Sequence, residues 1–244
     1  MTACNMWDWL DPYMAELNKD EETMNLGDRM KENYENRSRF FLTRKVPVII
    51  RLDGRAFHTL TANMKKPFDD VLIGEMVRSA IETAREMQGF KLGYVQSDEA
   101  SFLLTDYNNL ETTAWFDYNL SKLTSISASI MTGEFNKVWY GRIAHFDSRA
   151  FNIPKEDVAN YFLWRALDCE RNSLSMYCQS LFSHKELQGK NCAQQHEMLC
   201  GIGKNWADLG DQLKNGTFIT KSFEIRTDIL PTYGNILTLL EGSL

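Results

Sequence analysis

Two aspartates in this chain each stand where a predicted strand meets a turn, a place where carboxylates often bind metal ions. Asp53 follows the apolar run VPVIIRL and precedes Gly54, and Asp98 lies between the apolar runs KLGYVQ and EASFLL. Two carboxylates beside a glycine-bearing turn have the ligand chemistry that a two-magnesium phosphoryl-transfer site needs. The sequence therefore predicts such a site if the fold brings these two residues together.

The elements around the two aspartates can be predicted from the spacing of apolar residues. The β-branched run at 46–52 predicts a buried strand that ends at Gly54. Apolar steps of three, one and three residues over 73–87, followed by Gly89, predict an amphipathic helix. The runs KLGYVQ and EASFLL, separated by Ser97 and Asp98 alone, predict two strands joined as a tight hairpin.

A second helix and a further strand follow the hairpin. The helix is predicted over 111–135, and the extended segment over 142–152 is predicted to be bent or broken around 147–149. The residues that would share one side of the helix are Phe116, Leu120, Leu123, Ser127 and Ile130.

The order strand, helix, strand, strand, helix, strand is that of the split βαβ, or ferredoxin-like, unit. In this unit the first and third strands are antiparallel neighbours at the centre of the sheet. The C-terminal end of the first strand therefore meets the N-terminal end of the third. We expect this topology to place Asp53 and Asp98, 45 residues apart in sequence, side by side.

The composition is that of a soluble enzyme, with 244 residues of which 43% are hydrophobic and 25% charged. Neither a transmembrane run nor an N-terminal signal peptide is expected. Five cysteines without a CxxC motif indicate a reducing, cytoplasmic environment. The net charge of −6 argues against binding nucleic acid through bulk electrostatics, so any RNA contacts must come from local basic clusters or from an oligomer.

The two motifs together, DGRAFH at 53–58 and YVQSDEASF at 94–102, resemble the active site of the tRNA-His guanylyltransferase superfamily. The members of this superfamily add nucleotides in the 3′-to-5′ direction. Three further segments carry the resemblance: LGDRMKENYE resembles the family's N-terminal helix, KKPFDD its KPND-type turn, and 161–191 the helical region that follows.

The resemblance implies an α/β (α+β) fold, a ferredoxin-like polymerase or cyclase palm (βαββαβ) with an appended, mainly helical C-terminal region. Residues 1–153 would form the palm-type catalytic domain with its N-terminal helix. Residues 154–244 would form a region of helices and small strands for RNA binding and oligomer contacts.

The resemblance also implies roles for individual residues. Asp53 and Asp98 match metal-binding carboxylates, and the Gly54 carbonyl matches a further ligand, for two Mg²⁺ per active site. Glu99 is a candidate catalytic residue; it should point to the opposite face from Asp98, where it either supports the site or forms an ion pair.

Arg51 is interpreted as a structural salt-bridge residue. The implied nucleotide-binding residues, including successive amides that form a nest for phosphate, are Asp53, Gly54, Arg55, Ala56, Phe57, His58, Lys66, Ser97, Asp98 and Lys122.

Two departures from the family pattern concern the substrate. Asn119 stands where eukaryotic members carry an arginine, which removes one phosphate contact or moves it to another chain. After Asp168 the tract is ERNSLSM instead of the eukaryotic HINNLYN, and with SHKELQGKN it resembles the bacterial, archaeal and phage tRNA-His guanylyltransferase-like proteins. The candidate RNA-binding residues are Arg171, Asn172, His184, Lys185, Lys190 and Lys204.

The activity implied is template-dependent 3′-to-5′ nucleotide addition that repairs 5′-truncated tRNA. ATP would activate a 5′-monophosphate, and the 3′-hydroxyl of a nucleoside triphosphate such as GTP would attack the activated end. The expected assembly is a homotetramer without membrane contact. The alternatives are a tRNA-His-specific G-1 guanylyltransferase, a palm-type nucleotide cyclase and a non-catalytic tRNA-binding protein.

A possible zinc site lies at Cys192, His196 and Cys200, which recur at i, i+4 and i+8, with His184 upstream. One straight helix cannot wrap these ligands around an ion, because i and i+8 are about 12 Å apart at a rise of 1.5 Å per residue. We therefore expect no zinc, and we expect Cys192 and Cys200 to pack beneath the helical region.

Overall fold

The structure is a computed structural model that describes residues 24–242. The chain divides into two compact units, Met1–Phe40 and Phe41–Leu244. The expectation that the chain does not begin with a signal peptide falls on residues outside the described range. Within that range, no helix is both long enough and apolar enough to cross a bilayer.

The described part of the first unit is helical. Helix α1 (Leu26–Met30) continues into a π-helical turn (Lys31–Glu35) and a 3₁₀ turn (Asn36–Ser38). Asn25 caps this helix, since its side-chain oxygen accepts a hydrogen bond from the Asp28 amide at 2.9 Å. The helix predicted from LGDRMKENYE is confirmed.

The second unit is built on a six-stranded sheet in which every described pair of neighbours is antiparallel. The strands are β1 (Val48–Gly54), β2 (Phe90–Gln96), β3 (Glu99–Leu104), β4 (Phe146–Asn152), β5 (Thr217–Thr220) and β6 (Ile225–Arg226). Their order across the sheet is β4-β1-β3-β2-β5-β6. The first four strands form the predicted βαββαβ unit, and the last two extend the sheet beyond β2.

Helices cover both faces of this sheet. They are α2 (Phe57–Leu60), α3 (Asp70–Arg85), α4 (Leu120–Asn136), α5 (Val158–Leu181), α6 (His184–Leu187), α7 (Cys192–Gly201), α8 (Asp211–Asn215) and α9 (Tyr233–Glu241). Because side chains alternate along a strand, Ile50 of β1 packs in one core with α3 and α4, whereas Ile49 packs in a second core with α5 and α9. We call these the first and the second face of the sheet.

The predicted topology is confirmed. β1 and β3 are antiparallel neighbours at the centre of the βαββαβ unit, with Asp53 opposite Glu99 in the register. The predicted strands, the hairpin at Ser97 and Asp98, and the first long helix are all present, with ends that differ by a few residues.

The predicted start of the second helix at residue 111 is wrong, because α4 begins at Leu120. Phe116, Asp117 and Tyr118 have left-handed backbone angles (φ of 49°, 52° and 57°) that cannot continue a right-handed helix. The Asn119 side chain then caps α4 by accepting a hydrogen bond from the Lys122 amide at 3.1 Å. The position that departs from the family arginine thus serves as a helix cap.

The predicted break in the last strand of the palm is also wrong. β4 pairs with β1 without interruption, from Phe146 opposite Gly54 to Asn152 opposite Val48. Asp147 and Arg149 are exposed because they alternate with residues that pack toward the first face. Polar residues at alternate positions of an edge strand are typical of a regular strand and do not indicate a bend.

The expected packing of the two cysteines in α7 is wrong. Cys192 and Cys200 are exposed, because this helix buries Leu199 against Leu174 and Cys178 of α5 instead. In the described residues, no cluster of three or more His, Cys, Asp or Glu side chains is arranged to hold a metal ion.

We predict that the purified protein binds no stoichiometric zinc at α7. After a chelator wash, metal analysis should find less than about 0.1 zinc per chain, because a single helix cannot surround the ion with Cys192, His196 and Cys200. One zinc per chain, or unfolding induced by the chelator, would contradict this prediction.

Gly89, in the connection between α3 and β2, should not tolerate a side chain. Its φ is +84°, and an added Cβ would lie 2.4 Å from the main-chain oxygen of Thr105. Gly89→Ala should therefore lower the free energy of unfolding by about 2–4 kcal/mol, measured by urea denaturation. The control is Gly133→Ala in α4, where an added Cβ meets nothing within 4 Å. It should be neutral or stabilise the protein by up to about 1 kcal/mol.

Candidate active site

The pairing of β1 with β3 brings the two predicted aspartates together. Asp53, near the end of β1, is the register partner of Glu99, the first residue of β3. The amide of Gly54 donates a hydrogen bond to the carbonyl oxygen of Asp98 at 3.0 Å. Asp98 therefore lies next to the end of β1, as the ferredoxin-like topology predicts.

Negative charge at this position is only partly compensated. Burial raises the pKa of Asp98, and the nearby charge of Asp53 adds to this rise, while a hydrogen bond from the Ser97 hydroxyl at 3.0 Å opposes it. Asp53 is half-exposed, and its nearest cation in the described residues is Arg149, at 3.9 Å. A divalent cation between the carboxylates would relieve their repulsion. The two carboxylates and the carbonyl oxygen of Gly54 are hard oxygen ligands of the kind that Mg²⁺ prefers.

The turn from β1 to α2 lies directly beside the aspartates. Ala56 takes a left-handed conformation (φ 54°, ψ 36°) and starts α2. In the described part of the chain, the amides of Phe57 and His58, in the first helical turn, donate to no protein acceptor. The Phe57 ring anchors the turn in the core, since its centroid lies 5.6 Å from that of Phe135 and 5.2 Å from that of Phe146.

Gly54 permits the close approach of this turn to Asp98. A Cβ at this position would lie 2.4 Å from the Phe57 ring and 2.9 Å from the Asp98 Cβ. The amide of Arg55 is already engaged, since it donates to the carbonyl oxygen of His145 at 2.8 Å. The amides in this turn that can donate hydrogen bonds to an anion therefore include those of Phe57 and His58 but not that of Arg55.

A cavity of about 450 Å³ opens beside the turn and Asp98, a size typical of small-molecule sites. Its wall is formed by the β1–α2 turn, the loop before α3 with the first turns of α3, the β2–β3 turn, one side of α5, and the segment 212–217. The Tyr94 hydroxyl fixes this last segment by donating to the Asn215 carbonyl oxygen at 2.8 Å. The predicted residues that line the cavity are Gly54, Ala56, Phe57, His58, Lys66, Ser97, Asp98 and Asn172.

Other predicted residues lie outside the lining of this cavity. Asp53 borders the site from the second face, and Arg55 is not among the residues that line the cavity. Lys122 lies at the start of α4, where its Nζ is 5.8 Å from the centroid of the Phe116 ring.

Glu99 lies on the second face of the sheet in a buried ion-pair network. Its carboxylate contacts Arg51 at 2.6 Å and Arg165 at 2.9 Å. Burial raises the pKa of Glu99, and the charges of the two arginines oppose this rise. The interpretation of Arg51 as a salt-bridge residue is confirmed, and of the two roles left open for Glu99 the structure favours the ion pair.

The candidate RNA-binding residues are spread along the C-terminal helices. Arg171 pairs with Asp168, and Asn172 lines the cavity beside Asp98. His184 lines a separate cavity of about 440 Å³ between α5, α6 and α7. The remaining candidates, Lys185, Lys190 and Lys204, are exposed.

Sequence reasoning missed the α5 wall of the cavity. The α5 residues in the wall recur at i, i+3, i+4 and i+7, so a helical face could have been recognised. No sequence signal indicated that this face turns toward the β1–α2 turn. The cavity residues that were not predicted include Lys65, Asp69, Cys169, Ser173, Met176, Gln212 and Thr217.

Comparisons with known proteins agree with this geometry. Residues 27–154 match the family model described as tRNAHis guanylyltransferase. A probable tRNA(His) guanylyltransferase of Dictyostelium discoideum is 29% identical over 202 residues, which cover 74% of this chain and 77% of the relative.

Two similar solved structures are of a bacterial tRNA(His) guanylyltransferase (Thg1)-like protein. The complex with ATP has a TM-score of 0.85 and 39% identity, and the complex with GTP has a TM-score of 0.78 and 36% identity. Each comparison covers 89% of this chain and 98% of the solved chain. The family model alone spans more than half of the sequence, and the chain belongs to the tRNAHis guanylyltransferase family of nucleotidyltransferases.

Proposed function

We propose that this protein adds nucleotides to the 5′ end of tRNA in the 3′-to-5′ direction, with ATP as the activating nucleotide and a nucleoside triphosphate such as GTP as the nucleotide added. The observation that carries the proposal is that Asp53 and Asp98 lie at the same end of the sheet, with the Gly54 amide bonded to the Asp98 carbonyl oxygen, beside the β1–α2 turn and a cavity of nucleotide size. The ATP and GTP complexes of similar structures support the choice of nucleotides.

The chemistry requires two phosphoryl-group transfers. In the first, an oxygen of the RNA 5′-monophosphate attacks the α-phosphorus of ATP, and pyrophosphate leaves. In the second, the 3′-hydroxyl of the incoming nucleotide attacks the 5′-phosphorus of the RNA, and AMP leaves. Both steps need an anion site for a triphosphate and a way to offset negative charge.

Asp53, Asp98 and the carbonyl oxygen of Gly54 would hold Mg²⁺. When bound, Mg²⁺ supplies Lewis-acid stabilisation of the triphosphate and lowers the pKa of the attacking hydroxyl. The Ser97 hydroxyl orients the Asp98 carboxylate, with which it shares a hydrogen bond of 3.0 Å. Because activation of the attacking hydroxyl would come with the bound ion, the mechanism requires no protein side chain as a general base.

The phosphates would be held by the chain itself. The amides of Phe57 and His58 point out of the first turn of α2, and the exposed Lys65 and Lys66 belong to the cavity wall. Backbone amides and lysine ammonium groups are common phosphate ligands in proteins. The α5 wall would close the opposite side of the cavity and exclude water from the reacting groups.

Residues 154–244 would provide RNA binding and contacts between subunits. α5 carries exposed apolar side chains, with Trp164 54% and Leu167 46% exposed, and β4 is an edge strand of the sheet. These features support assembly into the proposed homotetramer. Cys169, Cys178, Cys192 and Cys200 are free thiols, which supports a reducing, cytoplasmic location.

The proposed role is repair of 5′-truncated tRNA and not addition restricted to tRNA-His. The tract that accompanies tRNA-His specificity in eukaryotic relatives is replaced here by ERNSLSM, in which Arg171 is held by Asp168 and Asn172 borders the cavity. Selection of the nucleotide would then depend on base pairing with the opposite strand of the acceptor stem.

Asp53→Asn and Asp98→Asn should each remove activity without unfolding the protein. Loss of a charged metal ligand should reduce both activation and nucleotide addition at least about a thousandfold, or 4 kcal/mol in barrier. Both steps can be followed with labelled 5′-truncated tRNA, Mg²⁺, ATP and GTP. Asp228→Asn serves as the control, since Asp228 is exposed and pairs with Arg226. More than a few per cent of the wild-type rate in either aspartate variant would contradict the metal assignment, and a cyclic nucleotide product would contradict the proposed reaction.

Two truncated tRNAs with matched acceptor stems and different anticodons should be extended at similar rates. The protein should add the nucleotide that each template dictates, because the paired stem carries the information. The measurement is kcat/KM for each tRNA, one of them with the His anticodon. A preference above about a hundredfold for that tRNA, nearly 3 kcal/mol, would contradict the repair role.

A further inference from the structure

Arg165 of α5 is a buried arginine that joins two parts of the candidate site. Its side chain is 4% exposed. Nε lies 2.9 Å from one carboxylate oxygen of Glu99, and Nη2 lies 2.6 Å from Asp168. Of the ion-paired arginines in the described residues, none has a less exposed side chain.

At one end of this connection, Glu99 lies on β3 beside the two proposed metal ligands. Glu99 follows Asp98 directly in sequence and is the register partner of Asp53. Its second oxygen is held by Arg51 of β1 at 2.6 Å. A shift of Glu99 would therefore move the main chain at both proposed metal ligands.

The other end belongs to the nucleotide cavity. Asp168 accepts a hydrogen bond from the Asn172 side chain at 3.3 Å, and Asn172 lines the cavity with Cys169 of the same helix. Arg165 is one helical turn before Cys169 and two turns before Asn172, so its position fixes the rotation of α5 at the cavity wall.

The energetics favour a role in positioning over one in stability. Removing charges from water costs several kcal/mol per ion, and a buried ion pair often contributes no more than apolar residues of similar size would. The planar guanidinium donates a hydrogen bond to Asp168 from Nη2 at 2.6 Å while its Nε faces Glu99 in an ion pair, an arrangement that a lysine cannot reproduce. A buried arginine that spans a strand and a helix therefore defines their relative placement.

We propose that Arg165 is a positioning residue for nucleotidyl transfer. Through Glu99 and Asp168 it sets the α5 wall of the cavity relative to Asp53 and Asp98, so that the α-phosphorus of bound ATP is aligned with the proposed metal ligands. This inference rests on the proposed function. ATP would still bind to the cavity without this connection, because its contacts there remain, but it would be misaligned with the carboxylates.

The test compares Arg165→Lys and Asp168→Asn with the wild type in the ATP-dependent activation of 5′-monophosphorylated tRNA. We expect kcat to fall about a hundredfold in each, because misplacement of about 1 Å has effects of this size. KM for ATP should stay within about threefold, since ground-state contacts are kept. Tm should change by less than about 4 °C. The double variant should be no more than about threefold slower than the slower single variant, because both changes break one connection.

The matched control is Arg78→Lys, on the first face of the sheet. Arg78 also joins two elements, with Glu75 of α3 at 2.8 Å and the main-chain oxygen of Glu134 in α4 at 2.5 Å. Arg78 contacts neither the cavity nor the proposed metal ligands, so kcat of the Arg78→Lys variant should stay within about twofold of the wild type.

Three results would overturn the inference. They are a kcat within threefold of wild type in both variants, a loss confined to KM, or a loss in step with a large fall in Tm, which marks a purely structural role. If Arg165→Lys fails to fold, Asp168→Asn decides alone, because it leaves the pair between Arg165 and Glu99 in place. An inactive wild type would defeat the proposed function and this inference with it, whereas an active wild type with unaffected variants defeats the inference alone.

Discussion

In the antiparallel pair of β1 and β3, the end of one strand lies beside the beginning of the other. This pairing places Asp53 opposite Glu99 and joins the amide of Gly54 to the carbonyl oxygen of Asp98. Side chains alone could not hold two mutually repelling carboxylates together, but a continuous main-chain ladder can, since its hydrogen bonds are made in the interior of the sheet. The proposed metal ligands, the β1–α2 turn and the cavity all take their positions from this ladder.

The two faces of the sheet contribute differently to the site. On the first face, α3 and α4 supply an apolar core in which Phe57 is anchored, and that anchor fixes the turn beside Gly54. On the second face, α5 adds charged residues among apolar ones, and it reaches from Glu99 to the cavity wall. The turn is therefore supported by apolar packing, whereas the proposed alignment of the cavity wall would depend on buried ion pairs.

Much of this arrangement can be predicted from the sequence, because local pattern and topology rules suffice for it. The apolar, β-branched run at 46–52 and the 3.6-residue period in 73–87 identify β1 and α3, and the order of elements then requires Asp53 and Asp98 to meet. The start of α4 could not be predicted in this way, since the apolar period runs on through Phe116 while its backbone is left-handed. The exposure of Cys192 and Cys200 could not be predicted either. Which side of α7 is exposed depends on the tertiary packing of Leu199 against α5, and the sequence of a short helix does not determine this by itself.

The α5 wall escaped sequence reasoning for a related reason. Cys169, Ser173 and Met176 have side chains that would suit an ordinary core, and only the placement of α5 turns them toward the β1–α2 turn. Arg165 is the residue that we propose fixes this placement. An arginine so deeply buried needs carboxylates on both of its sides, and Glu99 and Asp168 supply them from a strand and from its own helix. Burying Arg165, Glu99 and Asp168 together costs free energy of folding. In the proposed role this cost has a function, because the three residues connect the cavity wall that would hold a nucleotide to the strand ends that carry Asp53 and Asp98.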